Sequence, residues 1–123
     1  VSPPLLRIRD EVRQVLLERG LVFEEKSDIT EVIDKIDVLY VTRIQKERFP
    51  DPMEYEKVKG SYTVTLEMLS RGKPQLKVLH PLPKTNEIDH KVDSSPYAVY
   101  YLQARLAIPL RMALLTLVLG REP

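Results

Sequence analysis

Ile8, Val12, Val15 and Leu16 recur at i, i+4, i+7 and i+8, one stripe of a helix that Gly20 can end, so a helix is expected over roughly Arg9 to Arg19. The short apolar run Leu21-Val22-Phe23 suits a buried strand. Asp28 with Glu31 three residues on forms a capping-box start, and Ile29, Val32, Ile33 and Ile36 then repeat at helical spacing, which predicts a second helix. Asp37 to Thr42 has a continuous apolar centre without alternation, the pattern of a strand covered on both faces. From Phe49 to Lys59 two prolines and crowded charges predict a surface loop with a turn of helix around Met53 to Lys57. Beyond it come a strand over Ser61 to Val64, a short helix over Leu66 to Ser70, and a strand over Leu76 to Leu79 that ends at His80.

The carboxyl-terminal third reads as two helices, Tyr97 to Gln103 and then Leu110 to Leu119, with Pro109 in the first turn of the last one and Gly120 closing it. That last helix is apolar on every side except at Arg111. One core face of a single domain cannot cover it, so it is expected to pack against a surface outside this chain rather than to run through the centre of this one. Helices alternating with buried strands predict an α/β fold, a parallel sheet flanked by helices in a Rossmann-like three-layer sandwich.

Composition narrows the function classes. The 123 residues hold 19 Lys and Arg against 18 Asp and Glu, which leaves no broad cationic face, so no nucleic acid is expected as partner. The absence of cysteine removes disulfides, thiolate metal sites and a Cys nucleophile, and fits a cytoplasmic protein. Two histidines, His80 and His90, cannot cage a metal alone, and no metal or cofactor is expected. The nearly uncharged run Leu106 to Gly120 is shorter than a bilayer span, so no membrane is expected either. The chain opens Val1-Ser2-Pro3-Pro4, without a signal peptide, and reads as a start inside a larger chain. Neither GxGxxG nor GxxxxGK[ST] occurs, there is no serine elbow, and no pair of carboxylates stands out for acid and base work.

Ligands of an open parallel sheet bind beyond the carboxyl ends of its strands, so the residues after Val41 and after Leu79 carry the candidate chemistry. After the first strand, Arg43 and Gln45 lie two apart. Arg offers a planar fork for a carboxylate, Gln a neutral donor and acceptor, and Glu47 can hold the guanidinium in place; a solvated charge run is the competing reading. After the second strand, His80-Pro81-Leu82-Pro83 has two prolines that remove backbone donors and leave carbonyls to face a ligand, with a cis bond expected before Pro83. His80 by itself reads as a hydrogen-bonded packing residue and His90 as surface.

Taken together, Asp37 to Phe49, Leu79-His80-Pro81-Leu82-Pro83 and Asn86-Glu87-Ile88 resemble the catalytic chain of the aspartate transcarbamoylases. The opening Val1 to Arg7 and the ending Arg111 to Leu115 with Leu117 to Gly120 are similar to the same family. The resemblance implies an aspartate-binding domain over residues 1–123, itself incomplete, with the carbamoyl phosphate domain and its catalytic His lying outside this chain. It implies that Arg43 takes a carboxylate of L-aspartate, with Gln45 as second contact. Leu82, Pro83 and Pro81 would lie against carbamoyl phosphate and the incoming amine, while Glu47, Lys46 and Arg48 would support these contacts or belong to the closing loop that spans Phe49 to Lys59. The final helix would pack on the amino-terminal domain, and the full-length chain would form a homotrimer active in pyrimidine biosynthesis, inactive where that domain is missing.

Three departures from the family pattern stand out: Lys84 in place of Arg, Arg9 in place of Pro, and Leu106-Ala107 where Asn-Gly is common. Leu106-Ala107 suits a more continuous helix than Asn-Gly does. The ornithine relatives carry Cys where Pro81 stands and lack the Arg43-Ile44-Gln45 segment, so they are the weaker likeness. A noncatalytic, truncated or divergent carbamoyltransferase-like interaction module is the alternative from another class.

Overall fold

The computed structural model describes residues 1–120, with every side chain among them except that of Arg48. The elements run α1 (Asp10–Glu18), β1 (Val38–Tyr40), α2 (Pro52–Val58), α3 (Leu66–Ser70), β2 (Lys77–Leu79) and α4 (Tyr100–Val118), with single 3-10 turns at Pro4–Leu6, Ile29–Glu31, Lys46–Arg48 and His90–Val92. β1 and β2 pair in parallel, Val38 opposite Lys77, Leu39 opposite Val78 and Tyr40 opposite Leu79. Single parallel bridges extend this platform at Val78 with Ala98 and, apart from it, at Val64 with Ile88. The parallel α/β architecture is therefore as expected, on a sheet of two strands among the described residues.

Ile33, Val41, Val64, Leu69, Leu76, Val78, Ile88, Val92 and Tyr100 form the core. It extends from Leu76, just before β2, to Val41, just after β1, and Val41 donates its N–H to Leu79 O at 2.9 Å, which carries the pairing one residue past β1. Gly72 makes room for it: a Cβ there would stand 2.9 Å from both Ile33 O and Leu76 Cδ2, closer than carbon tolerates.

α1 ends in a Schellman arrangement, with Leu21 N–H on Leu16 O at 3.0 Å, Gly20 N–H on Leu17 O at 2.9 Å and Gly20 at φ 65°. α3 starts where Thr65 Oγ1 accepts from Met68 N–H at 3.2 Å, and matches the expected range. α2 is longer than the expected turn because Asp51 Oδ1 caps it, accepting from Met53 N–H at 2.8 Å, and Pro52 occupies its first position.

Five local expectations are corrected. The strand expected over Ser61 to Val64 is a single bridge at Val64, because only Ile88 pairs with it. Leu21 to Phe23 forms no strand, because no strand among the described residues pairs with it, and Val22 is 98% exposed. The helix expected after Asp28 starts correctly, with Asp28 Oδ1 accepting from Thr30 N–H at 2.8 Å, but closes into a 3-10 turn and further turns. β-Branched Ile29, Thr30, Val32 and Ile33 follow the cap and lose side-chain freedom in an α-helix, which weakens its propagation. β1 is covered on one face only, since Val38 and Tyr40 are each about half exposed, at 52% and 54%. The two carboxyl-terminal helices are one, α4, which carries Pro109 in its interior. Nothing between Gln103 and Leu110 favours a break other than that proline, and Leu106-Ala107 are good helix formers.

Joined back to Tyr100, α4 is long and apolar enough by length and composition to cross a bilayer, so the Leu106 to Gly120 run is part of a longer element than its own length implied. Apart from Tyr100 it is not buried.

Candidate functional site

The two strand ends meet in one cavity of about 580 Å³. Arg43 and Gln45 line it from the segment after β1, His80, Pro81, Leu82 and Pro83 from the segment after β2, and Pro3 and Leu6 from the amino-terminal turn. Parallel pairing puts both carboxyl ends on the same edge, so two segments 38 residues apart at Arg43 and Pro81 become opposite walls.

Arg43 is held from its own segment. Its Nη2 donates to Glu47 Oε1 at 3.1 Å across the 3-10 turn, as the spacing suggested. Both side chains are largely exposed, so the pair orients the guanidinium more than it stabilises the fold. Glu47 and Lys46 do not reach the main cavity; they line an adjoining recess of about 130 Å³ with Tyr55, Lys59, Asn86 and Glu87. Lys46 Nζ lies 5.8 Å from the ring centroid of Tyr55, whose edge meets Phe49, so α2 is tied to the loop beside the site. The side chain of Arg48 lies outside the described residues.

The opposite wall is stiffened by what lies behind it. The Leu82–Pro83 bond is cis, and Leu82 takes φ 51°. His80 is buried; its Nδ1 accepts from Leu82 N–H at 2.8 Å, its Nε2 lies 2.7 Å from Glu87 Oε1, and its own N–H donates to Gln103 Oε1 at 3.0 Å. His90 is at the surface, as expected. Lys84 is buried along its stem and gathers Ile88 O at 3.4 Å, Asp93 Oδ1 at 3.1 Å and His90 Nδ1 at 3.4 Å.

Burial alone raises the Glu87 carboxyl, but hydrogen bonds from the Thr85 hydroxyl, from backbone N–H groups and from His80 outweigh it and hold the group below the usual carboxylate range. It is therefore an anion at neutral pH. Burial, and then the Glu87 charge, push the Tyr62 phenol up, so it keeps its proton and donates it to Thr42 O at 2.7 Å.

Tyr62 and Glu87 are the residues that sequence reasoning missed. Tyr62 lines both recesses and pins the carbonyl immediately before Arg43. No periodicity marks it. Glu87 stands seven residues after His80, a separation that places the two together only once the turn at Pro81 to Pro83 is known.

The family described as "Aspartate/ornithine carbamoyltransferase, Asp/Orn binding domain" matches residues 2–118. The chain belongs to that family. It is 58% identical over 120 residues to the aspartate carbamoyltransferase catalytic subunit of Staphylothermus marinus, covering 98% of this chain and 39% of that protein. Among solved structures, the catalytic subunit of M. jannaschii aspartate transcarbamoylase superposes with a TM-score of 0.80 at 49% identity, over 94% of this chain and 37% of that one. The Trypanosoma cruzi enzyme in complex with carbamoyl phosphate and aspartate superposes with a TM-score of 0.80 at 31% identity, over 94% of this chain and 39% of that one. The chain thus spans about two fifths of the length of the carbamoyltransferases it matches.

Proposed function

We propose that this chain supplies the aspartate-binding part of an aspartate carbamoyltransferase, which moves the carbamoyl group of carbamoyl phosphate onto the amine of L-aspartate in pyrimidine biosynthesis. The observation that carries the reading is the single cavity in which the Arg43 and Gln45 wall faces the Pro81 to Pro83 wall. A carboxylate fork on one side and an acceptor-rich turn on the other suit a substrate with acids at its ends and N–H groups at its reacting centre. The complex of the Trypanosoma cruzi relative with carbamoyl phosphate and aspartate supports the same substrates.

In this reading Arg43, steadied by Glu47, takes a carboxylate of aspartate, and Gln45 makes the second contact. Carbonyls of Pro81 and Leu82 accept from the amine and from the carbamoyl NH2, and Pro83 shapes the wall beside them. The amine nitrogen bonds to the carbamoyl carbon, the bond from that carbon to the phosphate oxygen breaks, and phosphate leaves with the electron pair and takes up the proton that the amine loses. Positioning and fixed dipoles carry the rate, with no protein nucleophile. Lys46, Arg48 and the Phe49 to Lys59 segment close over the substrates. The phosphate is held by a carbamoyl phosphate domain outside these residues, against which α4 packs. The position of α4 within the matched residues 2–118 supports a helix that packs on protein rather than in a bilayer. The complete protein acts as a cytoplasmic homotrimer.

The test is formation of carbamoyl aspartate from the two substrates, by the 123-residue chain alone and by the chain joined to the amino-terminal domain of a relative. Activity is expected only in the joined protein. A joined protein that is folded, binds carbamoyl phosphate and makes no carbamoyl aspartate would reject the reading in favour of a noncatalytic module.

A further inference from the structure

Leu82 stands at φ 51°, in the left-handed region that a γ-branched residue adopts only when its surroundings hold it there. The holding contact is its own amide, which donates to His80 Nδ1 at 2.8 Å. An amide N–H can only donate, so Nδ1 must carry a lone pair; the proton of a neutral imidazole is thereby assigned to Nε2. Nε2 faces Glu87 Oε1 at 2.7 Å, and the carboxylate accepts that proton's hydrogen bond. The remaining capacity of Glu87 is filled by Thr85, whose N–H lies 3.2 and 3.1 Å from the two oxygens and whose hydroxyl lies 2.7 Å from Oε2.

His80 is 1% and Glu87 6% exposed, so water cannot take over these contacts. Every backbone donor from His80 to Pro83 is already engaged or missing: His80 N–H goes to Gln103, Leu82 N–H to the imidazole, and the two prolines have none. Among the described residues no hydrogen bond ends on the carbonyls of Pro81 or Leu82.

We propose that Glu87 and His80 form a positioning relay: the carboxylate fixes the imidazole as its Nε2–H tautomer, and the imidazole fixes the Pro81–Leu82 peptide plane, whose Pro81 carbonyl meets the reacting nitrogen. The relay rests on the carbamoyl-transfer reading above for its catalytic meaning, and on geometry alone for the tautomer. Neither residue is a catalytic residue: the His80 ring borders the cavity and Glu87 the adjoining recess, but both act on the reacting atoms only through the Pro81–Leu82 peptide.

Two substitutions of His80 in a complete catalytic chain separate the links. His80→Gln keeps a group that reaches Glu87 but places nothing where Nδ1 accepts, whereas His80→Asn keeps an acceptor near Leu82 N–H and lets go of Glu87. His80→Gln is expected to lower kcat on the order of 10²-fold, the scale of a misplacement near 1 Å. His80→Asn should recover roughly tenfold of that, with the aspartate KM of both within about threefold of the parent, because Arg43 is untouched. Equal losses in the two variants would overturn the relay and leave His80 a packing residue.

Nitrogen-15 chemical shifts of the imidazole supply a readout that needs no turnover. A protonated Nε2 and bare Nδ1 are expected in the parent and a mixture of tautomers in Glu87→Gln, while a protonated Nδ1 in the parent would overturn the proposal. A parent with the expected tautomer and no activity would instead reject the carbamoyl-transfer reading.

Discussion

Arg43 and Tyr62 show how little of the wall after β1 depends on bulk and how much on single polar contacts. The guanidinium is oriented by Glu47 Oε1 at 3.1 Å, and the backbone just before it by the Tyr62 hydroxyl on Thr42 O at 2.7 Å. On the carbamoyl-transfer reading, removing the fork by Arg43→Ala in a complete chain should raise the aspartate KM on the order of 10- to 100-fold, the scale of a lost hydrogen bond to a charged group. Arg43→Lys should recover only part of that, since an ammonium is a point charge and not a fork. Steady-state kinetics with aspartate varied at saturating carbamoyl phosphate decides both; an unchanged KM in Arg43→Ala would remove Arg43 from the site. Tyr62→Phe keeps the ring and leaves the Thr42 carbonyl without its partner. Its expected effect is smaller, about 3- to 10-fold on the aspartate KM from one neutral hydrogen bond, with thermal stability nearly constant. A rise in the carbamoyl phosphate KM instead would show that Tyr62 serves the other wall.

At the scale of elements, the start of α4 is tied to the turn that precedes it by a partly buried polar cluster. Asp93 takes the Lys84 ammonium at 3.1 Å and the Tyr100 hydroxyl, and Lys84 also reaches Ile88 O, so the residue after the Pro81 to Pro83 wall, the His90–Val92 turn and α4 move as one body. Burial works to raise the Asp93 carboxyl, but the hydrogen bonds from Tyr100 and Lys84 and the Lys84 charge leave it lowered; burial and the neighbouring Asp93 push the Tyr100 phenol up, so it stays a donor. A carboxylate lowered in the folded state contributes stability that is present above its unfolded value of about 4 and is lost as pH falls through the folded one. Asp93 and Glu87 are both of this kind, so the melting temperature should fall as pH drops below about 4, and Asp93→Asn should be less stable at neutral pH with a shallower acid slope. Parallel melting curves at pH 7 and pH 3.5 check it.

The same elements show what a sequence discloses. Thr65, Asp51 and Gly20 are local signals for local structure, and α3, α2 and the end of α1 follow from them. The helix after Asp28 fails although its cap forms, because β-branched crowding competes with periodicity. Arg43, Gln45 and the Pro81 to Pro83 turn were legible as strand-end residues, since parallel pairing places such ends together whatever their separation in the chain. Glu87 and Gln103 were not, because their partners are set by a turn and by the docking of α4, which no spacing encodes.

For the whole molecule the decisive feature is apolar surface without cover. Ile108, Leu110, Met112, Leu114, Leu115 and Leu117 of α4 are all more than half exposed, and Val12 and Val15 of α1 and Val38 and Tyr40 of β1 add to the open area. Burial of such side chains is worth about 25 cal/mol per Å², and surfaces of this extent associate unless something covers them. The 123-residue chain by itself should therefore bind a hydrophobic dye and self-associate in sedimentation velocity. Leu110, Leu114 and Leu117 recur at i, i+4 and i+7 on one stripe and belong to no part of the core. Replacing all three by Gln should abolish dye binding and yield a monomer, while the melting transition, set by the core around Val78, Ile88 and Tyr100, moves by only a few degrees. If association survives the triple substitution, the sticky surface lies outside that stripe, on the rest of α4, on α1 or on the open face of β1. In a chain joined to the amino-terminal domain the same three substitutions should instead weaken the union of the two domains, lowering kcat while Arg43 still sets the affinity for aspartate, because the walls of the cavity stay intact and only their distance from the bound phosphate changes.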